Sequence, residues 1–597
     1  MKHGLRAALL TVLLLLPAAA RAAVSVTISP RYAQLVLGAT QQFDVTVTGT
    51  SNHDVVWLVN GTKGGSFAAG KVTTDGLYTA PPKLPKPAIA TVTAISKADP
   101  SVRATATVTL LKQASTGQTY YVATAGNDNA AGTINAPWKT IQHAADAAAA
   151  GDTVQVRQGI YNEHVTFHIS GSTAKGPITF QSYPGETATL DGTGLTIPQH
   201  QWGLLTFNSV SYVIAQGFEV RNFTTASTKD APIGIFVTGS GLGVQIVNNY
   251  VHDITTTAAA TPSNCASNAF GIEVYGTKSP AATDGIAISG NEIAHLKTGC
   301  SETLSLDGNV TNWAIVENII HDNDNIAIGA IGFEKVCLDP AYDQARAGVI
   351  RGNTVYNITS YGNPDYGKQY AADGIYVDGG TNIIIEQNLI HNVDLGIEVA
   401  SEHKGHTSSF ITARNNVIYN GNSAGISIGG YDNKRGGTDH VVMVGNTLYN
   451  NDTKKTGSGE FQIQFNATNN TFQNNIVYAG AQNLLVHDFT TSTPDPATLD
   501  NNLYFSSGPA AKAKFVFHHA TYTGYAAYRS ATGQDSHSPA FTDPQFVSIA
   551  GLNFDIAAGS PARGAGAVLG ANVVGASDIA GNKRVAGGKV TIGAYQQ

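Results

Sequence analysis

The sequence contains few charged residues, and this scarcity narrows the fold. Charged residues make up 13% of the 597 positions, against roughly 25% in ordinary globular proteins. Long helices normally carry many lysine and glutamate residues, whereas this chain has 64 glycines, so the composition favours β-structure with many turns. The formal net charge is −7 and basic residues form no run, which argues against a nucleic-acid partner.

Several sequence motifs are also absent, and their absence argues against further classes of protein. Beyond the N-terminal segment, no stretch approaches the ~18 apolar residues of a membrane-spanning helix, so we expect no membrane insertion. The chain has no phosphate-binding loop, no HExxH and no paired CxxC, so nothing supports the enzyme classes that depend on them. Only three cysteines are present, enough for one disulfide and one thiol. We favour Cys265–Cys300, since both precede neighbouring predicted strands, with Cys300–Cys337 as the alternative.

The N-terminus has the pattern of an export signal over residues 1–22. Lys2 and Arg6 precede the apolar segment "AALLTVLLLLPAAA", and "ARA" at 20–22 is a small-x-small cleavage site. The pattern predicts a mature chain that starts at Ala23 and is secreted, periplasmic or held at the cell surface. We expect this protein to be a monomer.

Residues 24–112 predict a small β-sandwich. Short, partly alternating segments such as "QQFDVTVTG", "DVVWLVNG" and "RATATVTLL" are separated by Gly, Pro, Asn and Asp turns, which is typical of two packed sheets. The phrases "LGATQQFDVTVTG", "VVWLVNG" and "GLYTAPP" resemble bacterial immunoglobulin-like domains, which implies a spacer or adhesion module. "QASTGQT", 113–119, is the predicted linker.

A repeat governs the rest of the chain. One unit centres on Asn or Glu, a second has the form "GIYV" or "GIEV", and the shortest step between second units is 22 residues, as from Ile375 to Ile397. Short strands recurring at this interval predict a parallel β-helix over 120–510, with 511–597 as its C-terminal segment. A propeller, with four strands per blade, fits less well. Two columns of residues recur with the repeat, and we predict that both are structural rather than metal sites. The first is a hydrogen-bonded ladder: Asn249, Glu292, Asn318, Asn353, Asn388, Asn416, Asn446 and Asn475. The second is a ladder of stacked rings: His252, His295, His321, Tyr356, His391, Tyr419, Tyr449 and Tyr478.

The ends of this region carry a resemblance. "GTINAPWKTIQHAADAAAAGDTVQVRQGIYNEHV", with an Ala-rich helix predicted at about 138–150, resembles the first segment of secreted right-handed parallel β-helix proteins such as family-nine pectate lyases. "FTDPQFVSIAGLNFDIAAGSPARGAG" resembles a C-terminal segment of the same group. The fold class predicted is therefore all-β, a right-handed parallel β-helix preceded by a small immunoglobulin-like β-sandwich. Of the family's calcium-binding pattern "ADGF…NSDDGWD", only the beginning is matched, by "AADGIYVDGG", and the polygalacturonase motifs are missing.

Side-chain alternation places acids on the outer face of the coil. In "GIYVDG" and "GIEVAS" the Ile and Val residues point inward, so Asp378 and Glu398 point outward as diagonal neighbours. Glu273 and Asp307 join this face from earlier coils, and Glu460, Gln462 and Gln464 join it from later ones. The insertions "GFEKVCLDPAYDQAR" and "SYGNPDYGKQYAAD" are predicted to build walls at one corner. The predicted catalytic residues are Asp378, Glu398, Glu402, His403 and Lys404; the predicted substrate-binding residues are Tyr376, Tyr431, Lys434, Arg435 and Lys368.

This cluster supports two chemistries and one binding role. In β-elimination on a uronate, calcium or a basic side chain neutralises the carboxylate, and Lys404, His403 or Arg435 removes the proton. Calcium is the candidate cofactor, with Asp373, Asp378 and Glu398 as candidate ligands. Hydrolysis would use the Asp378/Glu398 pair. We predict a secreted enzyme that cleaves an acidic, uronate-containing polysaccharide by elimination; a glycoside hydrolase and a non-catalytic polysaccharide-binding adhesin are the alternatives.

Overall fold

The computed structural model describes residues 23–197, 203–262, 264–491 and 495–597. The predicted export signal at 1–22 lies outside the described residues. The chain from Thr119 onward winds into three long sheets in which each strand pairs with a strand of the next coil. In the described residues, the strands of successive coils pair in parallel, and an antiparallel hairpin closes the third sheet. The predicted parallel β-helix is confirmed.

The strands of the β-helix divide among three sheets. In the described residues, the first sheet consists of Thr119–Val122, Thr153–Val156, Ile178–Ser182, Val213–Gln216, Gly241–Leu242, Gln245–Val247, Thr283–Asp284, Ala287–Ser289, Val310–Thr311, Ala314–Val316, Arg346–Arg351, Thr381–Glu386, Thr407–Ser409, Thr412–Arg414, Gly437–Asp439, Val442–Val444, Ala467–Thr468, Asn470–Gln473 and Ala497–Asp500. The second consists of Gly159–Tyr161, Ala188–Asp191, Phe218–Thr225, Tyr250–Thr256, Glu292–Ala294, Ile319–Asn323, Thr354–Ile358, Leu389–Val393, Val417–Tyr419, Thr447–Tyr449, Ile476–Ala479 and Leu503–Ser506. The third consists of Val165–Phe167, Gly203–Asn208, Ile233–Gly239, Phe270–Gly276, Leu304–Gly308, Ile328–Ile331, Asp373–Asp378, Leu395–Ala400, Ile426–Ile428, Phe461–Ile463, Leu484–Asp488, Lys514–Phe517 and Ala520–Thr523.

Apolar side chains from all three sheets fill the centre of the coil. Ile375 stands beside Ile397, and Ile397 beside Ile426, with no exposed surface on any of the three. Alternation along each strand sends the intervening residues outward. The sequence predicted this stack, and the structure confirms it.

One turn of nine successive coils, from Asn249 to Asn502, carries a buried asparagine. The backbone N–H and the Nδ2–H of each asparagine before Asn502 donate to Oδ1 of the asparagine one coil later, at 2.8–3.2 Å. The predicted member Glu292 is wrong: Asn291 occupies that position, and Glu292 lies one residue further on, half exposed. The ladder comprises Asn249, Asn291, Asn318, Asn353, Asn388, Asn416, Asn446, Asn475 and Asn502.

The predicted column of His and Tyr is a stack of rings. His321, Tyr356, His391 and Tyr419 lie nearly parallel in succession, with ring centroids 4.8–5.2 Å apart. Burial lowers the pKa of His391 to about 4, so its ring stacks in the neutral form at ordinary pH. The predicted member His295 is wrong, because Ala294 aligns with His252 and His321 in the strand register. The column is structural.

Short helices cover the ends of the coil. The first spans Ile141–Ala147, shorter than the predicted 138–150, because its N-terminus is capped by the Thr140 hydroxyl and its backbone becomes extended at Ala148. At the other end, the helix Tyr525–Thr532 stacks Tyr528 on Phe515 of the last coils. The remaining helices are Ala510–Lys512, a 3-10 turn, and Ala571–Val574. In the described residues, no helix is long and apolar enough to cross a membrane.

The N-terminal segment forms a β-domain with its own core around Phe43, Trp57 and Tyr78. Its assignment to the immunoglobulin-like family and the predicted boundaries stay predictions. Among the described residues, its strands are Ser25–Ser29 with Asp44–Thr48; Tyr32–Val36, Val55–Val59, Thr62–Lys63, Ile89–Ser96 and Arg103–Leu111; and Thr40–Gln42, Gly65–Ser66, Gly70–Val72 and Leu77–Thr79. Outside this domain, the strands Phe546–Ser548 and Asn553–Ile556 form a separate hairpin near the C-terminus.

The N-terminal β-domain packs along the first sheet of the β-helix. The Thr107 and Ser289 hydroxyls lie 2.8 Å apart, and Gln34 Nε2 donates to Thr179 at 2.9 Å. Near the other end, Gln387 Nε2 donates to the Gly61 carbonyl at 3.1 Å. These contacts fix the domain against several coils, whereas a module spaced by a free linker would make none of them.

Candidate active site

A cleft of about 550 Å³ opens on the outer face of the third sheet. Its floor comes from outward-facing residues of successive coils, because strand pairing aligns Glu273 with Ser305, Tyr275 with Asp307, and Tyr376 with Glu398. Seven acids and a single lysine line it: Asp230, Glu273, Glu302, Asp307, Glu334, Asp378 and Glu402, with Lys229. The predicted acidic face is therefore the floor of a concave site.

The two long insertions lie at opposite edges of the third sheet. The prediction that both lie at one corner of the coil is therefore wrong. The segment 332–345 follows the strand Ile328–Ile331, whereas 359–372 precedes the strand Asp373–Asp378. Two facing walls result, which is why the outer face is a cleft. The disulfide Cys265–Cys300, the favoured pair, joins two loops at the rim, and Cys337 is free and buried.

Burial raises the pKa of several carboxyls in the cleft. The pKa of Asp307 rises to about 8 and that of Glu302 to about 7, chiefly because burial disfavours the charged form. The pKa of Glu273 lies well above its usual range for the same reason, although the Ser305 hydroxyl donates to Glu273 Oε2. Unless a cation enters, these carboxyls hold protons at neutral pH.

Asp378 lies at the junction of the cleft and the following loop. Its Oδ1 accepts a hydrogen bond from the Glu402 N–H at 2.8 Å, and its Oδ2 lies 3.8 Å from His403 Nε2. Glu334 Oε1 lies 3.1 Å from the same nitrogen. Burial raises the pKa of Asp378 to about 8, whereas the close contact between Glu334 and His403 lowers the pKa of Glu334 and raises that of His403.

Asp378, Glu334 and His403 could hold a metal ion together. One ligand atom from each lies within 4.8 Å of the others, and in the described part of the chain no other three His, Cys or acidic residues converge in this way. The predicted ligand set of Asp373, Asp378 and Glu398 is therefore wrong as a group. Asp373 and Asp378 are five residues apart on one extended strand, a separation of about 16 Å.

The charge of Glu398 acts on the carboxyl of Asp373. The charge of Glu398 is, after burial, the largest cause that raises the pKa of Asp373, followed by that of Asp394. Asp373 Oδ1 is buried without a hydrogen-bond partner. Residues 392–398, "NVDLGIE", match the pattern "NSDDGWD" at Asn392, Asp394 and Gly396 and have Glu398 for its last aspartate, with Leu395 for one acid. More of the calcium-binding pattern is present than the sequence analysis recognised.

Glu398 lies one coil beyond the cleft. It accepts hydrogen bonds from Ser427 Oγ and Gln464 Nε2, each at 3.0 Å, and burial raises its pKa to about 7. Glu460, predicted on the same face, is instead buried behind the sheet, where its oxygens accept from the backbone and side chain of Asn451 at 2.8 Å.

The predicted substrate-binding residues fall into two groups. Tyr376 lines the cleft and donates to Glu402 Oε1 at 3.1 Å. Tyr431 lies outside it on the rim, with the Arg435 guanidinium 4.6 Å from its ring centre. Lys368, Lys404 and Lys434 are exposed, and within the described ranges their ammonium groups make no hydrogen bond or ion pair.

Sequence reasoning missed Glu302, Glu334 and Tyr275 as cleft residues. Glu334 lies in an insertion that was predicted to form a wall, so an acid there was a recognisable candidate. Glu302 directly precedes the strand that contains "TLSL", and Tyr275 follows Glu273 by two positions on the outward face. Their convergence depends on loops that the repeat pattern does not describe.

Comparison with known proteins defines the class of this fold. A family model described as "Pel9A-like, right handed beta helix region" matches residues 120–299. The domain is thus a right-handed parallel β-helix, which confirms the predicted handedness. The chain is 36% identical over 448 residues to the uncharacterized protein YwoF of Bacillus subtilis (strain 168), covering 75% of this chain and 92% of YwoF. It belongs to the same family as YwoF.

Two pectate lyases are also similar to this chain, one over a short segment and one over most of its length. Pectate lyase PEL9 of Emericella nidulans is 43% identical over 76 residues, which is 13% of this chain and 18% of that protein. The crystal structure of pectate lyase Pel9A aligns with 81% of this chain and 97% of its own, at 15% identity and a TM-score of 0.44.

Proposed function

We propose that this protein is a secreted polysaccharide lyase that cleaves a uronate-containing polymer by β-elimination. The observation that carries the proposal is the buried Oδ1 of Asp373, which has no hydrogen-bond partner and belongs to a carboxyl whose pKa the charge of Glu398 raises. Exposed basic residues, Lys404, Lys434 and Arg435, follow Glu398 in the next turns of the chain. The match to the Pel9A-like family model and the local identity with a pectate lyase support the same chemistry.

The acids fit a calcium ion at Asp373 and Glu398. Calcium takes oxygen ligands, and Asp373 Oδ1 is a buried oxygen that no hydrogen bond occupies. Asp394 orients the site, because its carboxylate already accepts from Ser360 N–H and Ala372 N–H, which holds the neighbouring backbone. When bound, calcium would neutralise the uronate carboxylate and acidify the proton α to it. The Glu334–Asp378–His403 group includes a nitrogen and is less suited to calcium.

Lys404 is the proposed base. His403 is paired with Glu334, and the Arg435 guanidinium lies over Tyr431 and stays protonated at any physiological pH. Lys404 lacks such a partner and follows Glu398 by six residues. In the reaction its amine takes the proton α to the carboxylate, a carbon–carbon double bond forms, and the β carbon–oxygen bond breaks. The departing oxygen accepts a proton from water or from an acid of the site.

Product analysis on a panel of uronate polymers tests this proposal. Elimination creates an unsaturated product that absorbs ultraviolet light, and Lys404→Ala should reduce its formation at least ~100-fold if Lys404 is the base. Lys139→Ala, which removes an exposed lysine beside the first helix, is the matched control and should retain activity within about twofold. Excess chelator should abolish turnover and added calcium restore it. New reducing ends without absorbance would reject elimination.

A glycoside hydrolase is the second candidate, and the raised pKa values of two carboxyls favour it. Asp378 and Glu398, with pKa values of about 8 and about 7, could each hold a proton for a leaving group. Their diagonal placement one coil apart leaves room for a water molecule between them. Reducing ends that disappear in both Asp378→Asn and Glu398→Gln would identify this chemistry. Binding without any product would identify an adhesin.

A further inference from the structure

The half of the cleft formed by earlier coils has a property that elimination on a uronate does not use. Its floor holds Glu273 and Asp307, on adjacent coils, and both lie in the cleft lining. Asp307 aligns with Ile331 and then with Asp378, two coils and about 10 Å away. The strand Leu395–Ala400, which leads to the proposed base Lys404, lies one coil beyond.

Both carboxyls keep an oxygen free. Glu273 has no exposed surface and Asp307 is 5% exposed, yet Glu273 Oε1 and Asp307 Oδ1 have no hydrogen-bond partner. Buried polar atoms in native proteins are almost always paired. Two unpaired oxygens in one cleft therefore indicate that a ligand supplies their hydrogen-bond donors.

The charges around these oxygens select a cation. Acids outnumber basic residues seven to one in the lining, and the one lysine, Lys229, is exposed. A cleft of one sign concentrates ligands of the opposite sign. A bound cation would stabilise the ionised form of these carboxyls and pair with it, whereas an anionic or a neutral sugar supplies no positive charge to do so.

The arrangement of the acids favours a large organic cation over a metal ion. Glu273, Glu302 and Asp307 do not bring three ligand atoms within 4.8 Å, unlike the group at Asp378. They are instead distributed around a space of saccharide size. Tyr275 and Tyr366 line the same space and offer ring faces and hydroxyls, a combination common in sugar-binding sites.

We propose that this half of the cleft is a subsite for a hexosamine unit whose amino group is unacetylated, with the ammonium group between the free oxygens of Glu273 and Asp307. The inference rests on the proposed function for the rest of the substrate. Lys404, Lys434 and Arg435 lie on the rim of later coils, so the groove runs from acidic to basic along its length. The substrate class that matches is a polysaccharide with both hexosamine and uronate units.

Calorimetric binding of two trisaccharides tests the subsite without any turnover. The probes are fully deacetylated chitotriose, which carries three ammonium groups, and its fully N-acetylated counterpart. We expect the deacetylated probe to bind at least ~10-fold more tightly to the full-length protein. Glu273→Gln and Asp307→Asn, which keep size and shape, should each remove most of that preference. Glu292→Gln, on the second sheet outside the cleft, is the matched control and should keep it.

Each outcome decides between the proposal and its competitors. Equal binding of the two trisaccharides, or preference retained in the Glu273→Gln/Asp307→Asn double variant, would overturn the subsite. Manganese or calcium binding that is lost in the double variant, without amine binding, would assign the acids to a metal instead. Failure of the elimination assay with amine preference intact would reject the lyase but not the subsite, so the two proposals fail independently.

Discussion

Two columns of buried polar side chains run along this β-helix, and they are built on opposite principles. In the asparagine ladder every amide is bonded to the next coil, and each member is at most 2% exposed. In the acidic cleft, oxygens of Glu273 and Asp307 are buried without a partner. The asparagines of the ladder satisfy one another's hydrogen bonds, whereas acids of the cleft have oxygens that remain available to a ligand.

This difference separates structural from functional polarity in a repeating fold. Amides can both donate and accept, so identical asparagines satisfy one another at each coil. Ionised carboxylates only accept and repel one another, so a column of acids gains nothing from repetition. Removing a ladder residue should therefore cost stability, and neutralising a cleft acid should not. The following predictions test that contrast, from the largest expected effect to the smallest.

Reduction of the Cys265–Cys300 disulfide should have the largest effect on stability. The bond closes a loop with a sequence separation of 35, for which the chain-entropy relation gives about 4 kcal/mol. Cys265→Ser should lower the free energy of unfolding by up to that amount and loosen the rim of the cleft. Urea unfolding with and without reductant measures the change. Cys337→Ser removes only the free thiol, and an equal loss in that control would contradict the prediction.

Asn291→Ala should cost about 3 kcal/mol. It removes the Oδ1 that accepts from Asn249 N and Nδ2, and the Nδ2 that donates to the Ile246 carbonyl and Asn318 Oδ1, so several buried groups lose their partners. Thermal or urea unfolding gives the value. If the change were under about 1 kcal/mol, the ladder would not be the self-satisfied column described above.

Asp307→Asn should stabilise the protein, increasingly as pH rises. The pKa of Asp307 is about 8 when folded and near 4 when unfolded, so between those values the folded state retains a proton that the unfolded state releases. Stability is therefore lost as pH rises from about 4 to 8. The variant cannot lose this proton, so its free energy of unfolding should exceed that of the parent protein by about 1–2 kcal/mol at pH 8, but not at pH 4. A destabilised variant at pH 8 would place Asp307 with the structural residues.

Glu292→Gln should have the smallest effect, under about 0.5 kcal/mol. Glu292 was predicted as a ladder member, but its side chain is half exposed and contacts only His321, at 3.4 Å. Comparison with Asn291→Ala by the same unfolding experiment tests the corrected register directly. Equal losses at the two positions would restore the original assignment.

The sequence predicted the fold well because burial repeats. Ile375, Ile397 and Ile426 recur in a pattern that only a stacked coil satisfies, and their partners in the structure are the predicted ones. The same alternation placed Asp378, Glu398, Glu273 and Asp307 outward. Register at the turns was less secure, since the step from Asn291 to Glu292 is one residue and both are polar.

The site was predicted only where it lies on strands. Tyr376, Asp378 and Glu398 were correctly paired because strand register determines their neighbours. Glu334 and Glu302 lie on loops, whose path depends on packing against other coils. The two long insertions were predicted on one corner because sequence shows only that they interrupt the repeat, not on which edge.

By itself, the sequence determined that this chain stacks short strands into a coil with acids on one outer face, because hydrophobic period and side-chain alternation are local properties of a strand. The tertiary structure decided which acids meet. It brought Glu334 from one insertion to Asp378 and His403, and left oxygens of Glu273 and Asp307 buried without partners. Those outcomes depend on distances between loops far apart in the chain, which only the packed coil sets.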